Sequence, residues 1–402
     1  MDKKRLFLWS LYDFANSIVW IIFFLYFSQW LVVEMGVKDI WYNLIFTISS
    51  VLLLLTAPIA ASIADKTKIK MPGLRITTFL SFLFFFLTGI IAVSYPTHYV
   101  YALIFSTLAM YFYLFCFTYY HPLLSDIATP EKQGLASGWG IFGNEMGQIF
   151  GILISIPLAT GTIILFNSSL RAQTLVPSAV LFFLFSLPML IFFKEKNRRQ
   201  DVLVDIKQEY KNIIHSIKEI FKIPDLGRFF LAYFFFNDAI ITASNNFAIY
   251  LDRVFNINDT LKSLVLIGII LVGSIGAVVG GWISDRIGWK KTLDFLLIGW
   301  IIIFPILAIM PNFYIFLIFV SIMGIWWGAI WSVTRVAIIK LTPLDKLDQS
   351  FTFYTLMERF STFVGPISWS IIVVLLSNIN GLNYKIAMAS MGVFCLIGFL
   401  IS

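Results

Sequence analysis

The 402-residue sequence has few of the residues that cover a soluble domain and few of those that build metal or redox sites. Only 13% of the residues are charged, and the chain holds two cysteines and three histidines. Cys116 and Cys395 both lie within apolar runs, which excludes a disulfide framework. The sequence contains no G-x-x-x-x-G-K-S/T loop, no H-E-x-x-H motif and no nucleophile elbow, so neither an ATP-driven motor nor a hydrolase is indicated. We expect no cofactor and no metal ion.

Apolar residues are what the chain has in excess, with 59% hydrophobic and 17% aromatic residues. Runs that reach the roughly 20 helical residues needed to cross a bilayer recur along the whole chain. The runs lack the strict alternation of a membrane β-barrel. We therefore predict an all-α, multi-pass integral membrane protein, placed in the cytoplasmic membrane if the source is bacterial. The twelve predicted transmembrane helices cover residues 6–33, 41–64, 74–94, 99–122, 134–160, 172–193, 226–252, 262–284, 291–310, 313–341, 349–377 and 382–401.

The distribution of positive charge predicts the orientation of the chain. Of the 29 Lys and Arg residues, 22 fall on or beside one predicted face and five on the other, while Arg335 and Arg359 lie within spans. The positive-inside rule then places both termini and the central loop in the cytoplasm. The net charge of +7 therefore reflects topology, and we expect no nucleic-acid partner.

The longest polar stretch, residues 194–225, separates an N-terminal six-helix bundle, residues 1–193, from a C-terminal one, residues 226–402. Apolar residues at steps of three and four within this linker predict an amphipathic helix, which lies either on the membrane surface or against the ends of the bundle. The halves are pseudo-symmetric. ATPEKQGLASGWGIFGNE, which ends at Glu145, aligns with LTPLDKLDQSFTFYTLME, which ends at Glu358. Repeats with a site at their interface are typical of secondary transporters.

Polar side chains inside the spans are costly in lipid, so each is expected to face the bundle interior and to have a use. In WSLYDFANS, Asp13 lies too deep in the first span to reach the headgroups. An acidic and amide-rich face recurs in the seventh span, and aromatic and basic residues follow in later spans. We assign the substrate cavity to Asp13, Asn16, Tyr113, Tyr120, Asn237, Asp238, Asn245, Trp331, Arg335 and Arg359.

Other roles for these residues remain open on the sequence alone. The polar groups of the first and seventh spans could instead bond to neighbouring helix backbones and hold the bundle together, and the tyrosines could simply pack. Arg335 could either clamp a substrate carboxylate or pair with Asp13 as an inner gate.

Glu145 and Glu358 lie deeper in their spans than Asp13 does in the first, and they are the predicted ion-coupling residues. A carboxylate that faces a cavity can hold or release a proton according to which side of the membrane is open to it. The alternative is a permanent ion pair, for example with Arg359.

Two sets of motifs resemble known families. The loop GWISDRIGWKK, which contains Asp285 and Arg286, matches G-x-x-x-D-R/K-x-G-R/K-R/K and resembles the signature loop of the major facilitator superfamily. A degraded copy after the second span keeps Asp65 and Lys66. LYDFANS, HPLLSDIATPEKQGLASGWG and FFFNDAIITASNN resemble the autophagy-related vacuolar amino-acid effluxer family and its bacterial relatives.

The resemblance implies a monomer with the major facilitator fold, in which two halves rock about a central site and the signature loops act in gating. It also implies that a small amino acid or similar polar solute moves with or against protons, among membrane lipids. Small-residue faces in the fifth and eighth spans, at Gly143, Gly147, Gly151, Gly276 and Gly280, are expected to form a sliding surface between the halves.

Two alternative functions stay open as hypotheses. An exporter of lipid-like or drug-like amphiphiles would also use an aromatic cavity with few charges. A membrane-embedded enzyme or sensor is disfavoured, because no nucleophile and base group together in the sequence and no soluble domain is evident.

Overall fold

The computed structural model describes residues 2–67, 69–128, 133–195, 211, 215, 218–219, 221–342, 350, 353–354, 357–358, 361–379 and 381–402. Of residues 65, 125, 133–135, 137 and 224, only the backbone is described. Regular structure in these parts of the chain is helical throughout. The predicted amphipathic helix of the linker and the side chain of Arg359 lie outside the described residues.

Twelve helices carry the architecture, and we label them in chain order. The six helices of the N-terminal half are α1 (Lys3–Glu34), α2 (Asp39–Thr67), α3 (Met71–Ser94), α4 (Tyr99–Tyr120), α5 (Gln133–Ala159) and α6 (Leu175–Phe192). Those of the C-terminal half are α7 (Pro224–Asn245), α8 (Asp259–Ile287), α9 (Trp289–Ile309), α10 (Phe313–Leu341), α11 (Val364–Leu375) and α12 (Leu382–Ile401).

Eleven of these helices are long and apolar enough to cross a membrane, counted over the described residues. All are within a few residues of the predicted spans, except that α7 ends at Asn245 and a separate helical segment, Phe247–Phe255, follows it. The twelfth, α11, has 12 residues, and most of the predicted span before it lies outside the described residues. An integral, multi-pass membrane protein is thus confirmed, while the count of twelve spans stays a prediction.

Capping residues in the loops mark the starts of α1, α8 and α10. The Asp2 carboxylate accepts hydrogen bonds from the backbone N–H groups of Lys4 and Arg5, both at 3.1 Å. Asn258 and Asn312 cap α8 and α10 in the same way. These side chains satisfy N–H groups that have no partner within the helix.

The described residues divide into two compact units. The first contains residues 1–37 and 48–211, and the second contains residues 38–47 and 212–402. The second unit therefore includes the first turns of α2 as well as α7 to α12.

Glycines set the closest helix contacts within each unit. In the first unit, a methyl group added at Gly143 or Gly147 would overlap a backbone carbonyl of α1, at Ser10 or Phe14 respectively. In the second unit, Gly276 stands in the same relation to Ile325 of α10. Small residues at these positions let two helix backbones approach closely in lipid, where dispersion and packing drive association.

The glycine faces of α5 and α8, predicted as a sliding surface between the halves, pack on helices of their own units. Gly143, Gly147 and Gly151 pack on α1, and Gly276 and Gly280 pack on α10, each within its own unit. The spacing correctly indicates close approach, but it carries no information about which helix is approached.

The glycine contacts predict a sharp difference between two substitutions in α5. Gly147→Ala places its new methyl group against the Phe14 carbonyl, whereas Gly138→Ala meets nothing within 4 Å. We expect Gly147→Ala to lower the free energy of unfolding by about 1–3 kcal/mol, as overpacking does, and Gly138→Ala to leave it unchanged. Thermal unfolding of the purified variants in detergent measures both. Equal stability of the two variants would contradict the packing described for α1 and α5.

Candidate functional site

A stacked aromatic group in the first unit forms the frame of the predicted site on α1 and α4. The buried ring of Tyr120 stacks on Trp9 at 4.8 Å with an interplanar angle of 4°, and on Tyr12 at 5.0 Å. Its hydroxyl donates to the Trp9 carbonyl at 2.9 Å, and the Trp9 indole N–H donates to the Tyr120 carbonyl at 3.3 Å. This reciprocal pair fixes both side chains and joins α1 to α4.

Two carboxylates that influence each other electrostatically lie beside this aromatic frame. The half-buried Asp13 lies within hydrogen-bonding reach of the Tyr120 hydroxyl, and it is close enough to Glu145 of α5 for the two charges to interact. Gly140 makes room for this arrangement, because a methyl group there would lie 3.3 Å from Asp13 Oδ2 and would also overlap the Trp9 ring. The structure thus brings a predicted cavity residue and a predicted coupling residue into one cluster.

Asn16 and Tyr113 lie further along α1 and α4. Asn16 is fully buried, and neither polar atom of its amide completes a hydrogen bond with the described residues, although it lies near the Tyr12 hydroxyl. The Tyr113 ring stacks on Trp20 at 5.6 Å, and its hydroxyl donates to the Asn16 carbonyl at 3.4 Å. An amide without partners in apolar surroundings is costly, which favours a ligand or a water molecule as its partner.

Asp238 occupies a structural position in the second unit. Its fully buried carboxylate accepts hydrogen bonds from the backbone N–H groups of Val364, at 3.1 Å, and Gly365, at 2.6 Å. These groups begin α11, so Asp238 acts as a cap supplied by another helix. Thr242 Oγ1 lies 3.5 Å from its other oxygen. Among the described contacts, those of Asp238 therefore match the structural alternative that the sequence left open.

Asn237 ties α7 to the segment before α11. Its amide N–H group donates to the Glu358 carbonyl at 3.2 Å and to the Ser361 hydroxyl. The amide oxygen has no partner among the described residues. One face of this asparagine is thus structural, and its acceptor remains available.

A second cluster of charges gathers around Tyr354. The ring of Tyr354 packs on Tyr233 at 4.8 Å, its hydroxyl lies 3.0 Å from Thr334 Oγ1, and the charges of both Glu358 and Arg335 act on it. Glu358 is half-buried and Arg335 is exposed. The predicted coupling residue of the second half therefore shares its surroundings with the predicted carboxylate clamp. Trp331, one turn before Arg335, packs edge-on against Trp327 at 5.8 Å.

Asn245 belongs to a buried polar network around the first turns of α2. The Tyr42 hydroxyl donates to the Asn245 carbonyl at 3.1 Å, and the Asn245 side-chain N–H group has no described partner. Next to it, the amides of Asn43 and Asn246 exchange two hydrogen bonds, at 3.1 and 3.0 Å. These contacts link α2 to the end of α7.

A third contact of this network involves Asp39, at the first residue of α2. One of its carboxylate oxygens accepts a hydrogen bond from the Tyr384 hydroxyl at 2.8 Å, while the other has no partner among the described residues. Arg253 lies close to both groups.

The signature loops contain exposed charges. Asp285 and Arg286 end α8, and the Arg286 guanidinium lies 3.9 Å from the centre of the Trp282 ring. The motif glycine, Gly288, has a φ of 91°, a conformation that other residues rarely adopt, and it separates α8 from α9. Lys66 is exposed in the last turn of α2, and the side chain of Asp65 lies outside the described residues.

Sequence reasoning missed several residues of these clusters. Tyr354 lies one helical turn before Glu358, so the i, i+4 rule could have found it. Trp9 lies one turn before Asp13 in the same way. The network of Asn43 and Asp39 carried no signal, because both residues stand at a predicted helix end, where polar residues are ordinary.

Comparisons with solved structures identify the fold. The chain is similar to a bacterial homologue of the human lysosomal transporter Spinster in an inward-facing, unoccupied conformation, with a TM-score of 0.77 and 13% identity over 100% of this chain and 96% of that one. It is also similar to the nucleoside transporter NupG, with a TM-score of 0.71 and 12% identity over 98% and 97% of the two chains. At these identities the likeness establishes the fold alone.

Family profiles identify the family of the chain. The profile of the Major Facilitator Superfamily matches residues 10–243, so the protein is a membrane transporter of the major facilitator type. The profile described as "Vacuole effluxer Atg22 like" matches residues 131–402, and the chain belongs to that family.

Two bacterial relatives align with most of the chain. It is 23% identical over 376 residues to an uncharacterized MFS-type transporter, YxiO of Bacillus subtilis (strain 168), which covers 89% of this chain and 86% of that one. It is also 23% identical over 398 residues to an uncharacterized protein of Aquifex aeolicus (strain VF5), which covers 98% and 94% of the two chains.

The capping role of Asp238 can be separated from an ion-coupling role by two substitutions. Asp238→Ala leaves two buried N–H groups without an acceptor, at a cost of about 1–3 kcal/mol each, so we expect a clear loss of thermal stability in detergent. Asp238→Asn keeps an acceptor oxygen without the charge, and we expect most of the stability to remain. An alanine variant as stable as the unmodified protein would rule out the cap.

Proposed function

We propose that this transporter moves a small amino acid or a similar polar solute across the membrane by alternating access, and that protons are coupled to this movement. We also propose the finer features that the sequence predicts, namely twelve spans, cytoplasmic termini and a monomer. In this proposal the signature-loop residues Asp65, Lys66, Asp285 and Arg286 take part in gating.

The observation that carries the proton coupling is the cluster of Asp13 and Glu145. Two neighbouring carboxylates repel each other when both are charged, so a single shared proton relieves the repulsion. Such a pair exchanges that proton when the surroundings change, for example when a cationic group of a solute comes near. Glu145 therefore keeps its predicted role, with Asp13 as its partner.

The charges of the second half support a solute that carries a carboxylate. Arg335 is exposed and shares the surroundings of Tyr354 with Glu358. A guanidinium can bind a carboxylate through two parallel hydrogen bonds. We propose that Arg335 is the clamp, with Trp331 and the free amide acceptor of Asn237 as further contacts. Arg359 remains a second candidate for this role.

The remaining cavity residues have polar or aromatic roles in this proposal. Asn16 and Asn245 each present buried amide atoms that have no partner among the described residues. Tyr113 and Tyr120 supply aromatic faces. Asp238 stays a less favoured cavity residue because the start of α11 occupies its carboxylate.

Similar proteins support the coupling only by analogy. One similar solved structure is described as "Structural insights into substrate recognition in proton dependent oligopeptide transporters", and it has a TM-score of 0.70 and 11% identity over 100% of this chain and 97% of that one. The family description speaks of a vacuole effluxer. Solutes of these kinds are compatible with the clusters described above.

A second candidate function is the export of amphiphiles. The stacked rings of Trp9, Tyr12 and Tyr120, and the pair formed by Trp20 and Tyr113, are the observation that favours it. Aromatic faces of this kind bind apolar or cationic ligands. Amphiphiles, rather than amino acids, would then stabilise the purified protein against thermal unfolding.

The coupling is tested by measuring lumenal pH in proteoliposomes while pooled amino acids, sugars or amphiphiles are added outside. We expect one amino-acid pool to change the pH, and Glu145→Gln to abolish that change, because the carboxylate pair can no longer share a proton. Glu34→Gln is the matched control, since Glu34 lies at the far end of α1 and pairs with Arg171 at 3.5 Å.

Two outcomes would contradict the proposal. If the Glu145→Gln protein kept the full pH change, Glu145 would not be the coupling residue. If only amphiphiles gave a response, the alternative function would replace the proposed one.

A further inference from the structure

A cavity of about 200 Å³ opens at one end of the second unit, and the charged residues of the clusters described above do not line it. Its walls combine charged and apolar side chains from three helices, among them Asp225, Arg228 and Phe229 of α7, Trp289 and Lys290 of α9, and Leu341 of α10. The volume is several times that of a single water molecule, which occupies about 30 Å³. The cavity is therefore large enough for a small polar group such as a phosphate with a substituent.

Two cations of this cavity have unused hydrogen-bonding capacity. Arg228 is exposed, and its guanidinium has no ion pair or hydrogen bond with the described residues. The Lys290 ammonium donates to Asp294 Oδ1 at 2.9 Å and to Ser402 Oγ at 3.1 Å, which uses two of its three donors. A guanidinium and an ammonium that face one cavity are the groups that bind phosphate oxygens.

The backbone adds to this positive character. The long helices α7 and α9 both begin at this cavity, and neither N-terminus is capped by a side chain. The free N–H groups of a helix start favour an anion. This contribution reinforces the two cations and would not be enough without them.

The carboxylate of Asp225 also lines the cavity and restricts the class of ligand further. Asp225 is exposed and lines the same walls as Arg228 and Lys290. A simple phosphate would be repelled by this carboxylate. A ligand that carries an ammonium group beside its phosphate would instead satisfy all three charges.

An exposed apolar side chain near the cavity indicates that such a ligand comes from the membrane. Ile287, the last residue of α8 and two residues before Trp289, is 53% exposed. Large apolar side chains with this exposure at the ends of transmembrane helices contact lipid. A basic pocket beside them is of the kind that binds lipid headgroups.

We propose that this cavity binds the phosphoethanolamine headgroup of a membrane phospholipid, with its phosphate on Arg228 and Lys290 and its ammonium group at Asp225. The proposal does not rest on the proposed transport function, although Trp289 and Lys290 belong to the same signature loop as Asp285 and Arg286.

The test is lipid binding by the full-length, delipidated protein in detergent. Native mass spectrometry counts the retained lipid, and the shift in thermal unfolding midpoint is measured for phosphatidylethanolamine, phosphatidylglycerol, free phosphoethanolamine and inorganic phosphate. Arg228→Gln and Lys290→Gln remove the phosphate contacts, and Asp225→Asn removes the ammonium contact. Lys291→Gln is the matched control, because Lys291 is exposed beside Lys290 but does not line the cavity.

We expect phosphatidylethanolamine to bind most tightly, and Arg228→Gln and Lys290→Gln each to weaken it about tenfold, as the loss of one charged hydrogen bond does. Asp225→Asn should weaken phosphatidylethanolamine but not phosphatidylglycerol. The Lys291→Gln protein should bind like the unmodified one, and all variants should elute as folded protein.

Three results would overturn the proposal. Equal binding by the three cavity variants and the control would mean that the retained lipid is not bound in the cavity. Binding of free phosphoethanolamine or inorganic phosphate as tight as that of the lipid would make the ligand a soluble phosphate compound. A preference for phosphatidylglycerol that survives Asp225→Asn would exclude recognition of the ammonium group.

Discussion

The contact between α1 and α5 is the constraint on which the candidate site of the first half depends. Because Gly143 and Gly147 have no side chains, the backbones of α1 and α5 touch at Ser10 and Phe14. Asp13 and Glu145 lie close to these residues in the chain, at the edge of the contact. Asp13 and Glu145 are brought together at this edge, and the stacked rings of Trp9 and Tyr120 close it on the side of α4.

The carboxylates of the two halves have different surroundings, although the sequence places an aspartate in both the first and the seventh span. Asp238 is saturated by the backbone of α11 and so stabilises a helix start. Asp13 instead has a tyrosine hydroxyl and a second carboxylate as neighbours. Fixed backbone N–H donors thus hold the Asp238 carboxylate, whereas the charge of a second carboxylate acts on Asp13. The same residue type in pseudo-equivalent spans therefore has a structural role in one half and, in our proposal, a coupling role in the other.

Much of the fold follows from the sequence, because hydrophobic length alone determines where a helix can cross a bilayer. The spans of α10 and α12 are predicted to the residue, and most others to within a few residues. What the sequence does not contain is the identity of a helix's neighbour. Gly276 predicts close approach, but only three-dimensional packing selects α10 as its partner. For the same reason the pairing of Asp13 with Glu145, far apart in the chain, could not be predicted from either helix alone.

The central claim is that Asp13 and Glu145 act as one proton-binding unit, and a double-mutant cycle tests it most directly. The quantity to measure is the number of protons exchanged per solute bound, obtained from calorimetry of the purified protein in buffers of different ionisation enthalpy. If the two residues share one proton, Asp13→Asn, Glu145→Gln and the double variant will each lose the same exchange. Additive losses, with the double variant losing the sum of the two single effects, would show that the carboxylates titrate independently and would contradict the account.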